Sequence, residues 1–394
     1  MEGDKSVELT VGDTARDSVL LVVADTHLGL LPRKHWFGFE NTAQSDFTAF
    51  SDFLQWVKGL EITPCDLPLG RWGNGAAKLR APGRLILLGD FLELWDASDA
   101  AVEFASREIW HTLREIRCHK VYPVGNHDFE VRELAGRRFP IARRQIDIIG
   151  DHYPKASSET EIPTLEIGSG HYLFVHGHQF DTSFRKIHAW TLISCLRHGA
   201  EAFRSYSWAL ATLAAIWSLS IIFGFSRDWT PVLLLLILGA LPRLFISIAR
   251  PVYNNFFRTR YKPDKAIGGF VAWWKSFTSG RRLPRGRVFV IYGHTHMADI
   301  QTGQEISEST GENVQGDLTL INVPAWVWDT NEKYKPVFND AALYIDSDGY
   351  KLIGWNWNEN RPFYIPDEVV RLRAAGRKLD DAMTEEHELA AKVA

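Results

Sequence analysis

Residues 18–27 read SVLLVVADTH, an apolar run that stops at Asp25, Thr26 and His27. A run this short, rich in aliphatic and β-branched side chains and closed by polar residues, reads as a buried strand. The same design recurs along the chain. RLILL at 84–88 ends in Gly89-Asp90, and the strand at 120–124 ends in Gly125-Asn126-His127-Asp128. The strand at 172–175 ends in His176-Gly177-His178, and that at 288–292 ends in Gly293-His294-Thr295-His296. In open α/β sheets, sites form where the carboxyl ends of strands meet, so clusters far apart in sequence can converge. The pattern predicts an α/β fold with one such site.

Outward from these strands, residues 42–60 carry helical spacing, with Phe47, Phe50, Phe53, Leu54 and Val57 on one face. Residues 61–82 hold Pro and Gly and read as a long loop. Residues 98–117 read as a helix capped by Ser98 or Asp99. Two later strands are expected near 318–323 and 341–345, and Asp346-Ser347-Asp348-Gly349 is a hairpin turn before 350–355. From Asp367 onward the chain is charged and helical in pattern, as in a surface helix. No internal repeat or low-complexity stretch is present. The organisation expected is a catalytic domain in two parts, 1–178 and 288–365. Residues 179–287 form a helical insertion between them, and 366–394 a charged tail.

The 394 residues are 45% hydrophobic and 23% charged, with a net charge of -4. A sizeable core can form. The strong basic excess of a nucleic-acid binder is missing, so no nucleic-acid partner is expected. Cys65, Cys118 and Cys195 are scattered and odd in number, which excludes a disulfide framework or a thiolate zinc knuckle. MEGDKSVELT lacks the basic and apolar regions of a signal peptide, and none is expected.

The five polar clusters supply carboxylates, an amide oxygen and imidazoles. Singly, each is weak: a lone Asp-x-His is more often a capping feature, and a lone Gly-Asp a turn. Together, each after a strand, they form a donor set suited to borderline or hard divalent cations. There are more ligands than one ion needs, so the economical reading is two divalent cations with one carboxylate bridging. The expected metal is Mn²⁺, with Fe²⁺ or Zn²⁺ accepting the same set.

In order, the blocks D-x-H, G-D, G-N-H-D, H and G-H-x-H resemble the calcineurin-like metallophosphoesterase superfamily. The resemblance implies a two-layer β-sandwich flanked by helices. It implies that Asp25, His27 and His296 hold one metal, that Asn126, His176 and His294 hold the other, and that Asp90 bridges both. It gives His127 the place of electrophile or general acid at the scissile phosphate, oriented by Asp128. Within the superfamily, Gly89-Asp90-Phe91-Leu92-Glu93-Leu94-Trp95 is similar to the G-D-x-x-E-x-W stretch of the UDP-2,3-diacylglucosamine diphosphatases. Those enzymes cut a nucleotide-linked glycolipid and carry a helical lid between the fourth and fifth motifs, where this chain has its insertion. That subgroup commonly has Gly-Asn-Arg-Asp, whereas His127 follows the general superfamily pattern. His178 is expected as an outer or substrate-facing group. His35, His111, His119, His152, His171, His188, His198 and His387 fit no motif and read as structural or solvated.

The insertion holds SWALATLAAIWSLSIIFGF at 207–225 and WTPVLLLLILGALPRLF at 229–245. A spanning helix needs about 20 mostly apolar residues. About ten strongly apolar residues in the second stretch are worth some -3 to -6 kcal/mol of insertion. Arg243 takes back about 3 kcal/mol at a helix centre, and less if it snorkels. Arg185, Lys186, Arg197 and Arg204 precede the pair, and Arg250, Arg258, Arg260, Lys262 and Lys265 follow it. As a membrane hairpin over 207–249, it would keep both ends and the catalytic domain cytoplasmic, with Trp208, Trp217 and Trp229 as candidate interface residues. The alternative is a soluble helical hairpin used as a lid or a dimer contact.

The function expected is a dinuclear metallophosphoesterase, membrane-associated, acting on a phosphorylated or pyrophosphate-linked lipid. The rival enzyme is a phosphodiesterase or phosphatase of soluble nucleotides, with the hairpin only as an anchor. The rival from another class is a non-catalytic membrane scaffold, which has no need of a complete ligand set.

Overall fold

The strand Leu20–Val23 sits inside an eight-stranded sheet in this computed structural model. The structure describes residues 18–34, 40–41, 43–69, 76–94, 97–134, 138–141, 144–156, 158–180, 210, 212–219, 222, 229–234, 263–329 and 339–374. Parallel neighbours in that sheet are Leu20–Val23, Arg84–Leu87, His119–Pro123 and Arg144–Ile149. Arg138–Ile141 closes one side antiparallel, and Ala341–Asp346, Gly349–Asn356 and Arg361–Ile365 extend the other. A second sheet has Gly170–Val175, Arg287–Tyr292 and Leu318–Asn322 in parallel. His152–Tyr153, Leu165–Ile167 and Asp299–Thr302 join it antiparallel.

Alternation along the strands makes the layers. Leu20, Val22, Ile86 and Leu88 face Tyr172, Phe174, Phe289, Ile291 and Ile321 across one inter-sheet core. The residues between them turn outward: Leu21, Val23, Leu85 and Leu87 pack under helices Phe47–Gly59 and Asp99–Glu115. On the far side Leu173, Val175, Val288 and Val290 pack under Phe270, Val271 and Trp274 of helix Pro263–Thr278. Each buried aliphatic or aromatic side chain contributes about 1.5–3 kcal/mol, so strands buried on both faces need the near-continuous apolar runs the sequence shows. Two face-to-face sheets with helices outside are the layering the motifs imply.

Several boundaries differ from the expectation. The chain divides into one unit of residues 1–32, 42–181 and 262–394 and a second of 33–41 and 182–261. Helix Pro263–Thr278, expected within the insertion, thus belongs to the first unit, because its apolar face is buried against the second sheet. The loop at 61–82 carries a short hairpin, Cys65–Pro68 paired with Ala76–Leu79. Helix Asp367–Ala374 is anchored by Val370, which is buried in the inter-sheet core.

The hairpin at 207–249, and the basic residues flanking it at 185–204 and 250–262, lie largely outside the described residues. No helix among the described residues is long and apolar enough to cross a membrane. Residues 212–219 are helical, and Leu213, Ile216, Trp217 and Leu219 are exposed there.

Candidate metal centre

The carboxyl ends of the central strands of both sheets place the motif residues together. Asp25 follows Leu20–Val23, and Gly89-Asp90 follow Arg84–Leu87. Backbone bonds tie these two turns directly: His27 N to Asp90 O at 2.8 Å and Leu28 N to Phe91 O at 3.0 Å. Gly293 N donates to His176 O at 2.9 Å, joining the two turns of the second sheet. Asp25 and Asp90 also brace the turns opposite them. Asp25 Oδ2 accepts from His294 N at 2.8 Å, and Asp90 Oδ1 from His127 N at 2.6 Å.

This convergence uses unusual backbone. Asp25, His27, Asp90, His294 and His296 all have positive φ, between 44° and 73°. Such residues cost about 1–3 kcal/mol each and cluster at functional sites, although Asp and His tolerate the left-handed region better than most. Two glycines allow the close approach. A Cβ on Gly125 would run into Asp90 Oδ1, and one on Gly293 into Asp25 Oδ2.

Three groups of side chains bring ligand atoms within 4.8 Å of one another: Asp25-His27-His296, His27-Asp90-His127 and Asp90-His176-His294. Asp90 belongs to two of them. Asn126 joins the third, its Oδ1 being 3.1 Å from His176 Nε2. All seven residues expected as metal ligands, with His127, therefore meet in one cluster. His178 enters none of the three groups. It is buried beside His176, ring centroids 5.4 Å apart, and burial first, then His176, pushes its pKa down to about 3.

The ring tautomers are set by the carboxylates and carbonyls behind them, which only accept. His27 Nδ1 is 2.9 Å from Glu93 Oε2, and His176 Nδ1 is 3.0 Å from Leu88 O. Each ring thus directs an Nδ1 proton at its acceptor and turns Nε2 toward the cluster. His27 Nε2 lies 3.1 Å from His296 Nε2. Asp25 Oδ1 is buried with no hydrogen-bond partner. It sits 3.7 Å from His296 Nε2, 3.9 Å from His27 Nε2 and 4.0 Å from His176 Nε2. An orphaned carboxylate oxygen ringed by imidazole nitrogens is costly as it stands and fits a cation. The residues present suit a dinuclear metal site.

Electrostatics follow the same arrangement. Burial opposes the charge on Asp90, but His176, His127 and His27 hold its carboxyl well below the usual range. Burial, against which His176 only partly works, pushes Asp25 up to about 7. Burial also keeps His294 and His296 well below the ordinary imidazole value, hence neutral and ready to donate a lone pair. His176 is raised to about 10, burial being outweighed by Asp90 and Asp25.

Glu93 is the residue that the motifs did not assign. It is fully buried, and its oxygens lie 2.9 Å from Nδ1 of His127 as well as from Nδ1 of His27. Burial opposes its charge, but His127 and His27 keep it ionised, well below the usual carboxylate range. Asp128, expected to orient His127, does something else. Its oxygens accept from Gly125 N at 2.7 Å, Phe91 N at 2.8 Å and the Tyr122 hydroxyl. The reason is geometric: neighbours in sequence after a strand point apart, so Asp128 turns into the scaffold while the His127 ring meets Glu93. The signal for Glu93 was present in the G-D-x-x-E spacing. Trp95 of that stretch lies outside the described residues.

The sequence pattern of the family described as Calcineurin-like phosphoesterase (Metallophos) matches residues 18–328. Among solved structures, the chain is similar to a conserved uncharacterised protein, a predicted phosphoesterase, from Streptococcus pneumoniae TIGR4. That likeness has 11% identity, covers 88% of this chain and 92% of that one, and has a TM-score of 0.28. A dimetal phosphatase from Danio rerio is similar at 12% identity, covering 85% of this chain and 95% of that one, with a TM-score of 0.35. No curated protein gives a significant match.

Proposed function

The chain belongs to the calcineurin-like phosphoesterase family, a family of hydrolases, and from that premise we propose that it cuts a phosphoester or pyrophosphate bond of a lipid-linked substrate at a membrane surface. The observation that carries the chemistry is the orphaned Asp25 Oδ1 among three imidazole nitrogens, with Asp90 shared between two ligand groups. Asp25, His27 and His296 would hold one cation, Asn126, His176 and His294 the other, and Asp90 both. Two bound cations lower the pKa of water and neutralise charge on phosphoryl oxygens.

The chain's own residues do the rest. Glu93 holds a proton on His127 Nδ1 and its charge supports the imidazolium form, in which Nε2–H can donate to a phosphoryl or leaving-group oxygen. The His127 side chain is 16% exposed while Glu93 is fully buried, so the imidazole is the member of the pair that can reach a substrate. Asp128 and Tyr122 fix the turn that carries Asn126 and His127.

The lipid part rests on the insertion between His176 and His294. Its described residues expose Leu213, Ile216, Leu219, Ile222, Trp229, Leu233 and Leu234. Exposed apolar side chains in this number fit contact with lipid or with another protein. The basic residues on either side in sequence, Arg185 to Arg204 and Arg250 to Lys265, would attract anionic headgroups. The similarity of Gly89 to Trp95 to the UDP-2,3-diacylglucosamine diphosphatase stretch supports a nucleotide-diphosphate lipid as first substrate to try.

The test is hydrolysis by the full chain, loaded with Mn²⁺, of a nucleotide-diphosphate lipid in detergent micelles beside a soluble nucleotide-diphosphate sugar. The lipid is expected to be cut at least tenfold faster. Equal rates would remove the lipid part and leave a phosphoesterase of soluble nucleotides. No hydrolysis of either, nor of simple phosphodiesters, with Mn²⁺, Fe²⁺ or Zn²⁺ would remove the enzymatic reading.

A further inference from the structure

In the turn that follows the His127 motif, one arginine is built into the scaffold yet keeps part of its fork uncommitted. Arg132 lies in the 3-10 turn Phe129–Leu134 that follows His127 and Asp128, and the turn is pinned by Val131 N to Asp128 O at 2.9 Å. Its Nη2 meets Asp151 Oδ1 at 2.9 Å and Oδ2 at 3.1 Å. The guanidinium carbon rests 5.4 Å from the Phe129 ring centroid. Asp151 is tied in turn to the His176 loop. Its backbone oxygen accepts from Gln179 Nε2 at 2.9 Å, and Gln179 Oε1 accepts from Gly177 N at 2.9 Å. A short chain of hydrogen bonds thus fixes Arg132 relative to the His176 loop.

Two features make this more than a surface ion pair. Only Nη2 is engaged, so Nε and Nη1 make no hydrogen bond to another described residue, and the side chain is 42% exposed. An exposed carboxylate is a weak partner, worth about 0–1 kcal/mol, and can position the guanidinium while leaving its other N–H groups for a phosphate oxygen. The reacting phosphoryl group would be met by the cations that the seven metal-binding residues would hold and by His127. A guanidinium set outside that group is redundant for a substrate with one phosphate. It complements a substrate that carries a second one.

We propose that Arg132, braced by Asp151 and Gln179, forms an anion-binding lip that takes the second phosphoryl group of a diphosphate-linked substrate. The inference deepens the phosphoesterase reading above and rests on it for the position of the reacting phosphoryl group. It makes the enzyme selective for a pyrophosphate bond over a simple phosphodiester by recognition, with no new bond formed or broken.

The experiment compares full-length protein with Arg132→Ala, both Mn²⁺-loaded, on UDP-glucose and on bis(4-nitrophenyl) phosphate. The ratio of kcat/KM for the diphosphate over the phosphodiester is expected to fall about tenfold in the variant. A ratio within twofold of the parent overturns the proposal, whether or not both rates drop together. Calorimetric binding of inorganic pyrophosphate against orthophosphate runs in parallel. Pyrophosphate affinity is expected to weaken about tenfold more than orthophosphate affinity, and equal changes overturn the lip. If the parent cuts neither compound, the binding pair alone decides the lip, and the phosphoesterase reading stands or falls on the lipid and metal series above.

Discussion

Glu93→Gln is the sharpest test of how the site works. The carboxylate is fully buried and accepts from two rings, His27 and His127, at 2.9 Å each. Glutamine keeps the shape but brings an NH₂ donor. Its one oxygen can serve either ring well, and the other ring then faces a donor and must move its proton to Nε2. If that ring is His27, Nε2 is no longer a lone-pair donor, and metal affinity drops about ten- to hundredfold, as when a partner behind a ligand is removed. If it is His127, the charge-assisted bond that supports a positive imidazole is lost. Such bonds are worth about 1.5–3 kcal/mol. At about 1.4 kcal/mol per factor of ten, that is roughly a 10- to 150-fold loss in kcat. With metal saturating, kcat is therefore expected to fall about a hundredfold, while a chelator-competition titration shows weakened metal binding. Asp128→Asn is the comparison. Asp128 accepts from two backbone N–H groups and from Tyr122, so its loss leaves a buried donor unmet, at about 1–3 kcal/mol. It should lower the melting temperature more than Glu93→Gln does, and kcat less. A Glu93→Gln enzyme within threefold of the parent kcat, or the reverse ordering of the two variants, would refute the reasoning.

Other outcomes follow from the same geometry. Gly125→Ala places a Cβ against Asp90 Oδ1 and is expected to abolish binding of the second cation, read as a metal-to-protein ratio near one by mass spectrometry; a ratio of two would contradict the packing. Chelation of the loaded protein should lower its melting temperature, because a cation at a hundred times its Kd stabilises by about 2.7 kcal/mol per site, and an unchanged melt would speak against a built site. His152 is half-buried, edge-on to Phe277 at 5.3 Å, and burial, outweighing Asp151, holds its pKa below 6.5. A histidine depressed in the fold is neutral there, so its contribution is intact above the unfolded value near 6.5 and is lost as pH falls towards the folded one. The melting temperature should therefore decline below pH 6.5, and His152→Phe should flatten that decline; an equal slope in the variant counts against the assignment.

The central strands and their polar ends were legible because burial on both faces demands uninterrupted apolar residues, and Leu20–Val23 or Arg287–Tyr292 offer little else. Helix Asp99–Glu115 was legible to within two residues from its Ser98 cap, whose side chain accepts from Ala101 N. What escaped has the opposite character. Arg144–Ile149 mixes Arg, Gln and Asp with its isoleucines, and its neighbour Arg138–Ile141 holds a proline, so neither reads as sheet without the partner strand beside it. Helix Pro263–Thr278 was counted with the insertion because it lies between the fourth and fifth motifs, and sequence does not say what its Phe270, Val271 and Trp274 cover. Only the opposing Leu173 and Val175 show what they cover. Cluster membership could be anticipated from motif order, whereas the partner of His127 could not. Glu93 and Asp128 are both acidic neighbours of the motifs, and the choice between them is made by side-chain direction, which sequence spacing does not record.

Five positions with left-handed backbone, at about 1–3 kcal/mol each, represent roughly 5–15 kcal/mol, comparable to the net stability of a whole domain. Any effort to toughen this protein meets that fact first. Two further non-glycine residues among those described are left-handed, Asp340 and Asn360; substituting glycine at Asn360, on an exposed turn, relieves its strain at no cost in chemistry. The same exchange at Asp25 or His296 would relieve strain by deleting a ligand. Resistance to heat and the capacity to hold cations therefore draw on the same residues, and selection for one alone is expected to erode the other.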